Sequence, residues 1–276
     1  MAGSFSRLRD LRALRALRDE LSQGTAARPG LSDNHVMQLT PAQQQAVGGL
    51  ARDLGRVFGG RLESLVAYPG HDGDGALHSL AVIEGLTFRD LAACLPLAEA
   101  WQRRRLAVPL MLSREELRRT VDIFPLEYAS IIAAHAVIAG ASPFDGIVID
   151  REDLRRACEA QAKSHLIHLR EAFLESHGET RAVAALIAAS AAPFRALLTN
   201  IARLPAGGAT TIDAAELSDE SLALAAEAQM GIAASLVRDV LASATTGQAS
   251  IGDPSALLAR AIDAAQRVWD YVDRWR

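Results

Sequence analysis

RLESLVAYP (61–69), GHDGDGA (70–76) and LHSLAVIE (77–84) are the stretch on which the fold class turns. The outer two runs are short, aliphatic and partly β-branched, and turn residues bound them, so they read as buried strands. Glycine and aspartate between them favour a turn. Upstream, Thr40 and Pro41 supply the N-cap and first turn of a helix that runs to the Gly59-Gly60 stop. Downstream, Thr87–Arg105 has helical periodicity with Leu91, Leu95, Ala98 and Trp101 on one stripe, and Val108–Leu112 reads as a third strand. Ser113 and Glu116 form a capping box at a helix start, each side chain satisfying an exposed amide of the other. Val121–Phe124 reads as a fourth short strand, Pro125–Ala139 as helix, and Phe144–Asp150 as extended or a strand end. Strands alternating with helices predict an α/β layer rather than a helical bundle.

From Asp150 onward the pattern is almost purely helical. Leu154, Cys158, Ala162, Leu166, Leu169 and Phe173 form one apolar stripe. Thr180 is read as capping the next helix, Pro193 as kinking it, and Pro205–Thr211 as a break. A third helix carries Leu222, Ala226, Gln229, Ile232, Leu236 and Val240. Asp253 and Pro254 open the last, with Leu258, Ile262, Ala265, Trp269, Val272 and Trp275 inward. The expected fold is α+β: a small mixed sheet flanked by helices, followed by an all-α domain of four helices. Three segments follow. Residues 1–40 hold an amphipathic helix (Leu8, Leu11, Leu14, Leu17, Leu21) and a linker, residues 41–149 the α/β domain, and residues 150–276 the helical domain.

Composition narrows the function classes. Of 276 residues 50% are hydrophobic and 22% charged, enough to bury a core and too apolar for a disordered chain. A net charge of −4 lacks the basic surplus of a dedicated nucleic-acid binder, so no nucleic-acid partner is expected. Cys94 and Cys158 are single and far apart, which argues against a disulfide framework or a cysteine zinc site and for core thiols. The most apolar stretch, Ala182–Phe194, is shorter than the ~18–20 residues a spanning helix needs, and the first twenty residues lack a signal-peptide core. A cytoplasmic protein with no membrane partner is the expectation.

The runs LESLVAYPG (62–70), HSLAVIE (78–84), LPLAEAW (95–101), VPLMLSREEL (108–117), DIFPLEY (122–128) and PFDGIVIDREDLRRACEAQAKSHLIHLR (143–170) resemble a bacterial family of nucleotidyltransferase-domain proteins of the DNA polymerase beta-like superfamily. The resemblance covers under half the chain and implies a sheet of nucleotidyltransferase type with a helical domain behind it. Active members close the first strand with a Gly-Ser pair that grips nucleotide phosphates, and carry two acids at alternate positions of the next strand. Alternate strand residues share a face, so such a pair can hold two divalent ions ~3.5–4 Å apart, with a third acid on a neighbouring strand. Here Pro69-Gly70-His71 stands in place of Gly-Ser, and Leu77, His78 and Ser79 stand where the acids belong. Leucine cannot ligate, and histidine is a poor donor for Mg²⁺. By resemblance Asp122, near Glu127, takes the place of the third carboxylate, a vestige alone, and Gly70 and Lys163 are left to meet a nucleotide.

The resemblance therefore implies a fold without nucleotidyl transfer, kept as a binding or interaction module, with no cofactor. The alternative is an active transferase in which Asp72 and Asp74, also two apart, act with Asp122 and Mg²⁺ to move a nucleoside monophosphate to a small-molecule or protein hydroxyl. The flanking glycines favour a solvated turn over a rigid ion site. A structural protein that forms a homodimer or meets a partner through its first or last helix is the third reading. His165 and His168, with Gln161, share a helix face that reads as polar surface rather than metal site. Glu159 and Lys163 are spaced for an ion pair. Arg103, Arg104 and Arg105 end a helix where cations suit the dipole.

Overall fold

The structure, a computed structural model, describes residues 37–70, 76–203, 217–246 and 252–274. The Leu8–Leu21 helix, the Pro205–Thr211 break, Trp275, Asp72 and Asp74 lie outside them. Among the described residues are nine α-helices and a four-stranded mixed sheet, an α+β fold with a helical C-terminal region. Helix α1 (Pro41–Phe58) starts where Thr40 and Gln43 cap each other and stops at Gly59, whose φ is +56°. A 3-10 turn leads into β1 (Leu62–Pro69), which pairs antiparallel with β2 (Leu77–Ile83) in the register Leu65–Ala81, Tyr68–His78 and Pro69–Leu77.

Helix α2 (Phe88–Arg103) opens with a Thr87–Asp90 capping box, and the Arg61 guanidinium together with that box holds the Asp90 carboxyl well below the usual carboxylate range. Strand β3 (Leu110–Leu112) lies parallel to β2, and α3 (Arg114–Thr120) follows the predicted Ser113–Glu116 box.

Two expectations fail after α3. Val121–Phe124 is a pair of turns, not a strand. Helix α4 (Pro125–Ala133) ends early, and the chain then forms β4 (Ala136–Gly140), antiparallel to β1 at its free edge, giving the order β3-β2-β1-β4. The alanine-rich run AAHAVIAG is helical by propensity; tertiary pairing overrides it. Gly140 sits at φ +73°, and a Cβ there would lie 2.0 Å from the Glu63 carbonyl oxygen. Phe144–Asp150 begins as a turn and contains no strand.

Both sheet faces are covered, which explains why the strands read as nearly continuous apolar runs. On one face Leu65, Ala67, Leu77 and Ala81 pack with Leu50, Leu54 and Phe58 of α1 and with Cys94 and Trp101 of α2. On the other, Val66, Tyr68, Leu80 and Val82 pack with Leu117, Val121, Tyr128 and Phe144. Of the predicted α2 stripe, Trp101 is buried and Ala98 packs on the same core, whereas Leu91 and Leu95 are exposed; Cys94 is the core thiol it was read as.

The C-terminal region has five helices rather than four: α5 (Arg151–Glu175), α6 (Thr180–Arg203), α7 (Asp219–Met230), α8 (Ala234–Thr246) and α9 (Pro254–Arg274). The expected third helix is two, because Gly231 adopts a left-handed φ of +65° and terminates α7. Its apolar residues Leu222, Ala226, Ile232, Leu236 and Val240 are nevertheless all buried. Cys158, Ala162, Leu166 and Leu169 are buried on α5, whereas Phe173 is exposed. Thr180 is the first residue of α6 rather than its cap, and the helix continues through Pro193. By length and composition Thr180–Ala202 could cross a membrane, contrary to the reading of its shorter apolar stretch, but Val183, Ile187, Leu197 and Ile201 along it are core.

Candidate functional site

The loop end of the β1–β2 hairpin is where the resemblance places nucleotide chemistry. Strand alternation sends Leu77 and Ser79 to the face packed by α1 and α2. Leu77 is 4% exposed and Ser79 2%, and the Ser79 hydroxyl has no hydrogen-bond partner among the described residues. These two positions are closed to solvent and offer no carboxylate, so they do not fit a two-ion site. His78 points to the opposite face. Its ring meets Tyr68 at 5.7 Å between centroids, and its buried Nε2 is also without a partner. Gly70 is explained by this histidine, since a Cβ would come within 2.7 Å of two atoms of the imidazole. The glycine makes room for a packed side chain.

Asp122 lies exposed in the turns between α3 and α4, beside buried Val121, and Glu127 is exposed on α4. No strand carries Asp122, contrary to its assigned place. Among the described residues no three His, Cys, Asp or Glu side chains converge as a metal group. Lys163 is on α5, its Nζ 3.3 Å from the centroid of the Trp269 ring on α9. The expected Glu159–Lys163 pair does not form. Glu159 accepts from Arg155 Nη1 at 2.9 Å, and Arg155 also holds Glu152. The Arg103–Arg105 run is structural: Arg103 pairs with Glu99, Arg104 lies 3.6 Å from Asp53, and the Arg105 carbonyl accepts from the Leu77 amide. Asp53, only 7% exposed, also accepts from the Trp101 indole at 3.0 Å, a buried pair that no helical pattern foretold.

Elsewhere, a shallow open depression lies between α5 and α6, lined by Gln161, His165, His168, Leu169, Leu186 and Pro193 among others. His165 stacks on Phe194, with 5.6 Å between ring centroids and 11° between planes, and burial, helped by His168, pulls its pKa down to about 4. His168 Nδ1 is spent on the backbone carbonyl and hydroxyl of Ser164. The polar face read from these two histidines extends to Glu171 and Glu175, at three- and four-residue steps along α5. Cys158 is fully buried, and its thiol is pushed up to about 12 by desolvation, as befits a core residue.

No protein-family model matches the chain, and no match is found among curated proteins.

Proposed function

We propose that the chain is a nucleotidyltransferase-fold protein that has lost nucleotidyl transfer and serves as a binding or interaction module. The observation that carries this reading is the burial of Leu77 and Ser79 at the strand positions where the resemblance requires paired acids. Ion-assisted phosphoryl transfer needs hard oxygen donors facing an open cleft, and here those positions face a sealed apolar layer. The exposed Asp122 belongs to no group of three or more ligating side chains among the described residues.

Two measurements test the reading. Incubation with labelled ATP, GTP, CTP and UTP and Mg²⁺ is expected to give no incorporation into protein or small-molecule hydroxyls. Magnesium-dependent incorporation that disappears in Asp122→Ala would overturn the proposal and establish the transferase built on Asp72, Asp74 and Asp122. Calorimetric titration of the same nucleotides separates a retained nucleotide site, seen as saturable binding without turnover, from a module whose partner is a protein.

A further inference from the structure

Helix α2 changes character along its outer face. Its inner face, Cys94, Leu97, Ala98 and Trp101, packs on the core it shares with α1 and the sheet. On the outer face the last turns carry Glu99, Gln102 and Arg103, all exposed, as a surface helix should. The first turns carry instead Phe88, Leu91 and Leu95, which are 84%, 43% and 72% exposed. Ala92 and Pro96, also exposed, lie between and beside them. Steps of three and four residues align these side chains in one stripe. A contiguous apolar surface of this kind marks an interaction site rather than scattered exposure.

The charges at the two ends of the stripe indicate what covers it. At the N-terminal end Arg89 is exposed and makes no ion pair among the described residues. At the C-terminal end Glu99 is exposed, accepting only from Arg103 on its own helix at 2.5 Å. A second α2 packed antiparallel about a two-fold axis near Ala93 sets Leu91 of each copy over Leu95 of the other. It also brings Arg89 within a helical turn of the other copy's Glu99. Ala92 and Ala93 are small where the two backbones come closest. Parallel packing would instead set Arg89 on Arg89 and Glu99 on Glu99, with the helix dipoles aligned. We propose that a second copy of this chain covers the outer face of α2, burying Phe88, Leu91 and Leu95 in an antiparallel homodimer. Stripe and polar margin reach only the low end of specific interfaces, under about 1,200 Å² in total, so the dimer is weak and reversible. The interface does not rest on the loss of nucleotidyl transfer proposed above, and the nucleotide assays given there do not bear on it.

Sedimentation equilibrium of the full chain over a concentration series tests the interface. The mass is expected to rise from that of one chain toward that of two, with a Kd on the order of 10 μM. Leu95→Glu, at an exposed position that leaves the core intact, should hold the chain as a monomer throughout. Arg89→Glu and Glu99→Arg should each raise Kd roughly tenfold, because a two-fold interface contains every contact twice. The two substitutions together should return Kd close to the wild-type value. These residues are ten apart on one helix and too distant to pair within a chain, so that rescue reports a contact between copies. Circular dichroism checks that each variant remains folded. A wild-type chain that stays monomeric at about ten times the expected Kd, leaving the stripe to a different protein, would overturn the proposal. So would a dimer that survives Leu95→Glu, its contact then lying on another face, or a double charge exchange that restores nothing.

Discussion

The hairpin end of the sheet and the α5–α6 groove treat polar groups in opposite ways. At the hairpin, sequence resemblance directs attention to a site that packing has closed: Leu77 is core, Ser79 is sealed in, and His78 fills the space Gly70 leaves. In the groove, where the residue pattern promised only a polar helix face, packing leaves a cavity with an unbonded imidazole and two unpaired carboxylates at its edge. The hairpin positions that the resemblance points to and the accessible polar groups lie in different parts of the chain. A strand buried on both faces cannot keep a ligand site unless its inward positions remain polar and hydrated. A helix pair can open one wherever small residues such as Ala189 face long ones.

The sharpest way to break the sheet half of this contrast is at Gly140. Replacement by Ala would impose a left-handed backbone on a Cβ and drive it into the Glu63 carbonyl, 2.0 Å away. The expected loss is at least about 3 kcal/mol, with β4 released from β1. Urea denaturation gives the magnitude, and amide exchange at Val66 and Ala67, whose register partners are Val137 and Ala136, reports the strand.

The groove half is tested by pH. The His165 imidazole has a folded pKa of about 4, below the ordinary value of 6.5, because burial penalises its charged form. Between those values the unfolded chain takes up a proton that the folded chain refuses, so stability falls as pH drops from about 6.5 toward 4 and is complete above that window. The expected loss is at most about 3 kcal/mol. His165→Phe, which keeps a ring against Phe194, should flatten the profile in that interval, as measured by thermal unfolding at a series of pH values. An unaltered slope in the variant would remove His165 as its source.

Much of the architecture was legible because its signals are local. Thr40, Ser113, Asp150 and Asp253 each accept a hydrogen bond at a helix start, and three of the four strands follow from short apolar runs between turn residues. What escaped depends on partners distant in sequence. The β4 run reads as helix until the open edge of β1 is placed beside it. Leu91 and Leu95 read as inward together with Trp101, yet of the three only Trp101, bonded to Asp53 of α1, is buried. Gly231, by contrast, is a local stop signal, a glycine in left-handed backbone at a helix end. For the candidate site, that Leu77 and Ser79 stand where the resemblance calls for acids was visible in the sequence. Their direction into the core emerges only from packing, whereas the spacing of Glu171 and Glu175 with the two histidines along α5 is visible in the sequence.

Trp101→Phe probes that distant coupling. The buried Asp53 carboxylate would lose its indole donor and keep Arg56 at 2.7 Å, and Arg104 at 3.6 Å. A loss of about 2 kcal/mol is expected, from the bond to a charged acceptor and its incomplete replacement. If Asp53→Asn in the Trp101→Phe background costs as much as in the wild type, the two residues are not coupled.

The smallest expected effect separates the two regions most directly, because Lys163 is the residue the resemblance gives to a nucleotide and the structure gives to Trp269. An ammonium 3.3 Å from the ring centroid is attracted to the electron-rich face of the indole, an interaction worth about 1 kcal/mol when partly buried. Lys163→Met retains the aliphatic stem and removes the charge, so it should lower stability by about that amount and change the Trp269 fluorescence, with nucleotide titrations unaltered. Lys163→Arg should preserve stability, since a guanidinium also stacks on an indole. Should Lys163→Met instead leave stability intact and abolish binding of a nucleoside triphosphate, the lysine faces a phosphate, and the separation drawn between a sealed hairpin and an accessible helical groove no longer holds.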